Sequence, residues 1–381
     1  MARQAARPRA IFEEVGGSRA DAAKAAPVPG AAEKRKARGR RLTALWLFVL
    51  AALVCAMVLV GGMTRLTDSG LSMVSWHPVL EAIPPLTEAD WAEEFAKYQT
   101  TEQYRALNAW MTVEDFKPIY WWEWGHRQFG RVIGLVWLVG LGALLALRML
   151  PSGYLWPVVA PGLLGGVQAV AGMWMVQSGV EAGSTLVSVA PYRLALHLSL
   201  AFLILGLLLW PAWRLMRPEW AQLQARRRRL SGQMVWSGAL VALCFAQIVL
   251  GALVAGNDAG RGYIDWPLMD GAILPPEAFD LSPVWRNLIE GAALTQFNHR
   301  VAGYALAVLP LVWVLFAKPR RWAGLAALAI WAQMAWGVVT VMNAAPLEYA
   351  IFHQAGALLT FAVVLRARFV AAYPDEVSVR G

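Results

Sequence analysis

Eight runs of apolar residues, each close to the length a helix needs to cross a bilayer, constrain this chain more than any other feature. A hydrocarbon core of about 30 Å requires roughly 20 helical residues. Residues 42–62, 129–149, 154–176, 194–213, 234–255, 298–317, 322–342 and 350–368 meet or approach that length. Composition agrees: 58% of the 381 residues are hydrophobic and 15% are charged, against roughly 25% charged in a soluble domain. A soluble globular enzyme is thereby excluded. The net charge of +9 sits in short segments between the apolar runs rather than over one face, which excludes a disordered or nucleic-acid-binding chain. Cys55 and Cys244 lie in different runs, so neither a disulfide framework nor a cysteine metal site is indicated. The 20 tryptophans gather near the ends of runs, as in interfacial belts.

Orientation follows from the basic residues. With the N-terminus cytoplasmic, the run Lys34-Arg35-Lys36-Ala37-Arg38-Gly39-Arg40-Arg41, the Arg226 to Arg229 cluster, and Lys318, Arg320 and Arg321 all face the cytoplasm. Most lysines and arginines then lie inside and most acids outside, as the positive-inside rule requires. Both termini are expected to be cytoplasmic, with the long loops 63–125 and 256–297 outside. Internal breakers such as Pro157, Pro161, Gly162, Gly165 and Gly166 are tolerated in membrane helices and allow close helix approach. Residues 1–41 read as a disordered basic tail. Glu13, Glu14 and Asp21 argue against a mitochondrial transit peptide, which is poor in acids.

The chain repeats itself. Residues 61–76 align without a gap on 251–266, matching Gly61 with Gly251, Asp68 with Asp258, Gly70 with Gly260 and Trp76 with Trp266. Each stretch precedes a proline pair, Pro84-Pro85 and Pro275-Pro276, and His126-Arg127 falls over His299-Arg300. Four spans per half give both halves the same orientation and predict a pseudo-twofold axis along the membrane normal. The predicted fold is an all-α polytopic membrane protein of eight transmembrane helices, arranged as two tandem pseudo-symmetric four-helix bundles. The boundaries are a cytoplasmic tail 1–41, an N-terminal bundle 42–213, a basic linker 214–233, a C-terminal bundle 234–368 and a cytoplasmic tail 369–381.

Of five histidines, four occupy comparable places: His126, His197, His299 and His353 lie near the outer ends of spans 2, 4, 6 and 8. These spans all run in one direction. Ligands from parallel helices at equal depth can meet one iron from opposite faces, so each bundle can hold one bis-histidine haem, His126 with His197 and His299 with His353. A lone interfacial histidine is more often a satisfied polar residue; four at matched depth in a repeat point to ligation. A catalytic zinc would need three protein ligands, and each half offers two. His77 aligns with Pro267 and reads as a surface residue. Met63, Met73, Met173 and Met175 read as packing residues.

Arg127 and Arg300 each follow a proposed ligand and suit haem propionates, with snorkelling to headgroups as the alternative. Asp68 and Asp258, each followed by a small residue and glycine, are expected to shape turns. Glu123 stands three residues before His126, one helical turn away, so a helix that starts early enough puts its carboxylate on the histidine's face. Gln296 occupies that place before His299. The pair is nearly isosteric but differs in charge and basicity, which suggests proton chemistry in the first half only. An exposed loop carboxylate is the alternative for Glu123.

In these features the chain resembles the haem A synthase family. The resemblance covers nearly everything after the tail. It rests on Gly61-Gly62-Met63-Thr64-Arg65-Leu66-Thr67 through Ser69-Gly70-Leu71-Ser72 and Trp76, on Trp122-Glu123-Trp124-Gly125-His126-Arg127 with Gly130-Arg131, on Gln296-Phe297-Asn298-His299-Arg300, and on His353-Gln354. It implies oxidation of the C8 methyl of haem O to the formyl of haem A for terminal oxidase assembly. It further implies His126 and His197 as axial ligands of the substrate haem O/A, Glu123 as the catalytic carboxylate, and His299 and His353 as ligands of a permanent haem B. Some members carry a cysteine pair in the first outer loop. This chain does not, and so resembles the cysteine-free proteobacterial and mitochondrial branch.

The partners implied are haem O as substrate, membrane lipid, haem O synthase, oxidase assembly factors and an unidentified electron acceptor, with self-association left open and no nucleic acid. The expected location is a bacterial inner membrane in preference to a mitochondrial one, with the haem sites near the periplasmic side. Two other readings compete. A di-haem b-type relay linked to quinone would suit symmetric sites, and the Glu123/Gln296 difference argues against it. A transporter would want ionisable residues within its spans, which are nearly absent here.

Overall fold

The computed structural model describes residues 30–76, 82–227, 229, 231–317 and 320–374. His77, Arg228, Lys318, residues 1–29 of the expected N-terminal tail and residues 375–381 of the C-terminal one lie outside them. The described residues form ten α-helices: α1 (Ala31–Leu66), α2 (Glu88–Tyr98), α3 (Val113–Ala146), α4 (Leu155–Val180), α5 (Pro191–Leu215), α6 (Glu219–Arg227), α7 (Ser231–Gly256), α8 (Ala292–Phe316), α9 (Arg321–Met342) and α10 (Leu347–Ala372). All but α2 and α6 are long and apolar enough to span a bilayer. The eight-span, all-α expectation therefore holds, and the chain is a multi-pass membrane protein.

Three expected boundaries move. Residues 31–41 are the first turns of α1 rather than disordered tail. The reason is contact with distant helix ends, whose last carbonyls lack intrahelical donors. Arg40 donates to the carbonyls of Leu215 at 3.1 Å, Arg214 at 3.4 Å and Arg217. Arg35 donates to the Leu147 carbonyl at 3.0 Å, and Lys36 pairs with Glu219 at 3.0 Å. The second change is α3, which starts at Val113 instead of 129. Thr112 opens it with a capping box: its hydroxyl accepts from the Asp115 backbone, and the Asp115 side chain accepts from the Thr112 backbone. Glu123 and His126 thus lie well inside a helix. At the far end of the chain, Phe369 and Tyr373 pack with Ala225, Trp210 and Trp213, so the residues after 368 begin as ordered helix.

Each half closes a ring of neighbours. α1 packs on α3 and α5, and α4 bridges α3 and α5; α7 packs on α8 and α10, and α9 bridges α8 and α10. The halves join through α5 against α7 and α1 against α10. Helices α1, α5, α7 and α10 thereby form an inner bundle with a single core that includes Leu47, Leu50, Phe202, Leu205, Leu240, Phe361 and Val364. Phe202 and Phe361 meet edge to face at 5.5 Å across it. A separate aromatic cluster of Trp91, Phe95, Tyr98, Phe116 and Tyr120 with Met73 fastens α2 to the start of α3, over the histidine end of the first half.

Candidate haem sites

The repeat stretches after α1 and α7 each turn through a left-handed aspartate, Asp68 with φ 51° and Asp258 with φ 50°. This is the turn role expected of both, since a short polar side chain tolerates that conformation. Arg65, in the last turn of α1, joins the two turns. Its guanidinium pairs with Asp68 at 3.1 Å and Asp258 at 2.7 Å and donates to the Ala255 carbonyl at 3.2 Å.

Beneath these turns the histidines gather in two pairs. His197, His299 and His353 lie about two turns inside the starts of α5, α8 and α10, and His126 nearly four turns inside α3, because that helix starts early. His126 and His197 lie near each other, and so do His299 and His353. Each imidazole rests against a glycine of a neighbouring helix. A methyl built on Gly61 would stand 3.1 Å from His126 Nε2, and on Gly251 3.0 Å from His299 Cε1. On Gly172 or Gly337 it would stand 2.8 Å from Cε1 of His197 or His353.

Three of the four histidines also face a glutamine placed four residues before that glycine. Gln168 Nε2 donates to the His197 carbonyl at 2.9 Å. Gln247 Nε2 donates to the His299 carbonyl at 3.0 Å and lies 3.3 Å from the ring Nε2. Gln333 Nε2 donates to the His353 carbonyl at 2.8 Å and lies 3.1 Å from the ring Nδ1. Sequence analysis passed over these glutamines and over Gly172 and Gly337, although the spacing Gln168 to Gly172, Gln247 to Gly251 and Gln333 to Gly337 is legible.

The donor set fits haem. Each half offers two imidazoles, the complement of a bis-histidine iron. His197 Nδ1 and His299 Nδ1 are buried without a hydrogen-bond partner. Buried polar atoms are nearly always satisfied, and a ligating imidazole engages both its nitrogens, one at the metal and one in an outer hydrogen bond. Among the described residues no group of three or more histidine, cysteine or acidic side chains converges, so the zinc alternative finds no matching ligand set here.

Glu123 is 2% exposed and held by three donors. One oxygen accepts from Ser72 Oγ at 2.8 Å and the Met73 backbone at 2.9 Å; the other accepts from Arg127 at 2.6 Å. The exposed-loop alternative for Glu123 is thus contradicted. Arg127 also donates to the carbonyls of Met73 at 2.8 Å and Ser75 at 2.9 Å, and lies 4.8 Å from the Trp76 ring centre. In the second half Gln296 donates to the carbonyls of Ala259 at 2.9 Å and Tyr263 at 3.1 Å. Arg300 donates to Tyr263 at 2.8 Å, Asp265 at 2.9 Å and Leu268 at 2.7 Å. The arginines offered to propionates by the sequence therefore direct these donors to loop carbonyls, and each ties its histidine helix to the preceding turn. The carboxylate of Asp265 secures that turn by accepting from Gly271 and Asp270, which hold it below the usual carboxylate range.

A family model described as cytochrome oxidase assembly protein matches residues 44–365. Similar proteins include three named haem A synthase. The protein from Ruegeria pomeroyi is 50% identical over 382 residues, covering 98% of this chain and 99% of the relative. Those from Roseobacter denitrificans and Cereibacter sphaeroides are each 48% identical, over 383 and 394 residues, with at least 98% of both chains covered.

Proposed function

The chain belongs to the cytochrome oxidase assembly protein family, and from that membership we propose that it is a haem A synthase, oxidising the C8 methyl of haem O to the formyl of haem A. The first half, residues 42–213, holds the substrate between His126 and His197. The second half, residues 234–368, holds haem B between His299 and His353 as an electron relay. Both termini are cytoplasmic and the haem sites lie near the periplasmic face of a bacterial inner membrane, the orientation supported by the basic ends of α1, α5 and α9.

Conversion of methyl to formyl by two hydroxylations and loss of one water releases four electrons and four protons, and the electrons must leave to an external acceptor. Bound haem supplies the redox chemistry; the protein supplies position and electrostatics. His126 and His197 fix the substrate's iron between α3 and α5. The aromatic cluster packs α2 against the first turns of α3, the helix that carries Glu123 and His126. Arg127, Ser72 and the Met73 N–H fix the Glu123 carboxylate one turn from His126. A carboxylate has about four acceptor positions, and three are engaged, which leaves one to take a proton from water or hydroxylated substrate. Arg127 and Arg300 hold the loops that roof the two sites.

The observation that carries this reading is the asymmetry at one register. A carboxylate is clamped beside the first histidine pair and an amide beside the second, each held by an arginine four residues on. Glu123→Gln keeps size but cannot serve as a carboxylate base. Haem A formation should fall by about 10²–10⁴-fold while haem O accumulates in the purified protein. Normal haem A output from Glu123→Gln would remove Glu123 from the chemistry. Extraction of haem B alone from active wild-type membranes would favour the relay reading.

A further inference from the structure

The glutamines opposite the histidines divide the two sites unequally. In the second half both histidines face one, Gln247 from α7 and Gln333 from α9; in the first half His197 faces Gln168 from α4. The fourth place, four residues before Gly61, is occupied by Met57. Its position corresponds to that of Gln247. A methyl built on Gly130 of α3 would stand 3.2 Å from Met57 Cε, and one on Gly303 of α8 3.3 Å from Gln247 Nε2. Gly130 and Gly303 each lie four residues after their histidine. Methionine has no N–H to donate, so the His126 carbonyl receives nothing from α1 at this place.

The amides also carry what two of the imidazoles lack. Gln168 Oε1 and Gln247 Oε1 are buried acceptors without a hydrogen-bond partner, and the Nδ1 atoms of His197 and His299 are likewise buried without one. An imidazole bound to a metal through Nε2 donates its Nδ1–H to an outer acceptor, which fixes the ring and strengthens it as a ligand. A glutamine that donates Nε2 to the histidine's own carbonyl ties the ligand to the next helix.

We propose that these glutamines are positioning residues that set how firmly each site keeps its haem, and that Met57, standing where the second half has Gln247, makes the first site the exchangeable one. This rests on the reading that both histidine pairs bind haem. The logic matches the two duties. A resident group is retained by two tethered ligands, while a substrate that must leave as product is held by one tethered ligand, His197, and one untethered ligand, His126.

Full-length protein purified with its haems is mixed with excess apomyoglobin as haem acceptor, and haem loss from each site is followed by absorbance and by extraction. A tether of one or two hydrogen bonds corresponds to roughly three- to tenfold in a dissociation rate. Gln247→Met should release haem B that much faster. Met57→Gln should slow haem O and haem A loss from the first site by a similar factor and raise their yield relative to haem B. Unchanged rates in either haem-loaded variant would overturn the proposal. If Gln247→Met does not fold, Met57→Gln decides alone. Wild-type protein that carries no haem in one half would instead defeat the underlying reading for that half, an outcome separate from unchanged rates.

Discussion

At the scale of single residues, side chains at matching positions differ in duty because of small changes in chemistry. Glu123 and Gln296 share a register, as do Arg127 and Arg300, yet only the first half joins a full carboxylate to its arginine. Arg65 has no such equivalent: the aligned residue is Ala255, whose carbonyl Arg65 itself engages. One guanidinium fork thus holds Asp68 of the first half and Asp258 of the second. Exposed ion pairs contribute about 1 kcal/mol or less each, so the role of Arg65 is geometric registry between halves more than stability. Arg65→Ala should increase hydrogen exchange at residues 255–258 with a modest fall in melting temperature. Arg65→Lys should rescue it only in part, because an ammonium is not a planar fork able to reach three acceptors in fixed geometry. Unchanged exchange in the alanine variant would show that the turns are set by their left-handed aspartates alone.

At the scale of elements, the early start of α3 has the largest consequence. Pro118 and the acids Glu114 and Asp115 make residues 113–128 look like loop to a hydropathy window. The helix forms there because Thr112 caps it and because Phe116 and Tyr120 face the aromatic residues of α2. Tyr98 and Phe116 stack at 5.2 Å, and Trp91 meets Tyr120 at 5.1 Å. Phe116 is fully buried, and truncating a buried phenylalanine costs about 3–5 kcal/mol. Phe116→Ala should therefore free α2, seen as faster hydrogen exchange over residues 88–98, while the spanning part of α3 stays protected. Thr112→Ala should produce a smaller effect, about 1 kcal/mol, confined to the first turn. If exchange over α2 does not change, the aromatic cluster does not fasten it.

At the scale of the whole molecule, both halves share the inner bundle of α1, α5, α7 and α10, and the two longest connections between spans, 67–112 and 257–291, lie at the histidine end. Charge assigns that end to the outside. Cysteine substitutions at exposed positions in the two kinds of connection test it, since Cys55 and Cys244 lie within spans. Asp280→Cys should react with a membrane-impermeant maleimide added to intact cells with a permeable outer membrane. Gln224→Cys, in α6, should react only after the inner membrane is opened. The opposite labelling pattern would invert the topology and place the haem sites on the cytoplasmic side.

The division between what the sequence determines and what it leaves open follows contact distance along the chain. The eight spans, the repeat, the left-handed aspartate turns and the grouping of His126, His197, His299 and His353 are legible, because apolar run length and residue spacing act over short stretches. The capping box at Thr112 and the three glutamine–glycine spacings are equally local and were readable, but their meaning depends on which histidine each glutamine meets across a helix interface. The helical fate of residues 31–41 was decided by the ends of α3 and α5, more than 100 residues away. Arg65 acquired its second partner 193 residues along the chain, and Gln354 reaches the Val58 carbonyl 296 residues back. Guanidinium and amide donors go to whatever acceptor the packed helices bring near. Apolar run length fixed where the spans lie along the chain, but only the tertiary structure decided which acceptor stood opposite each donor.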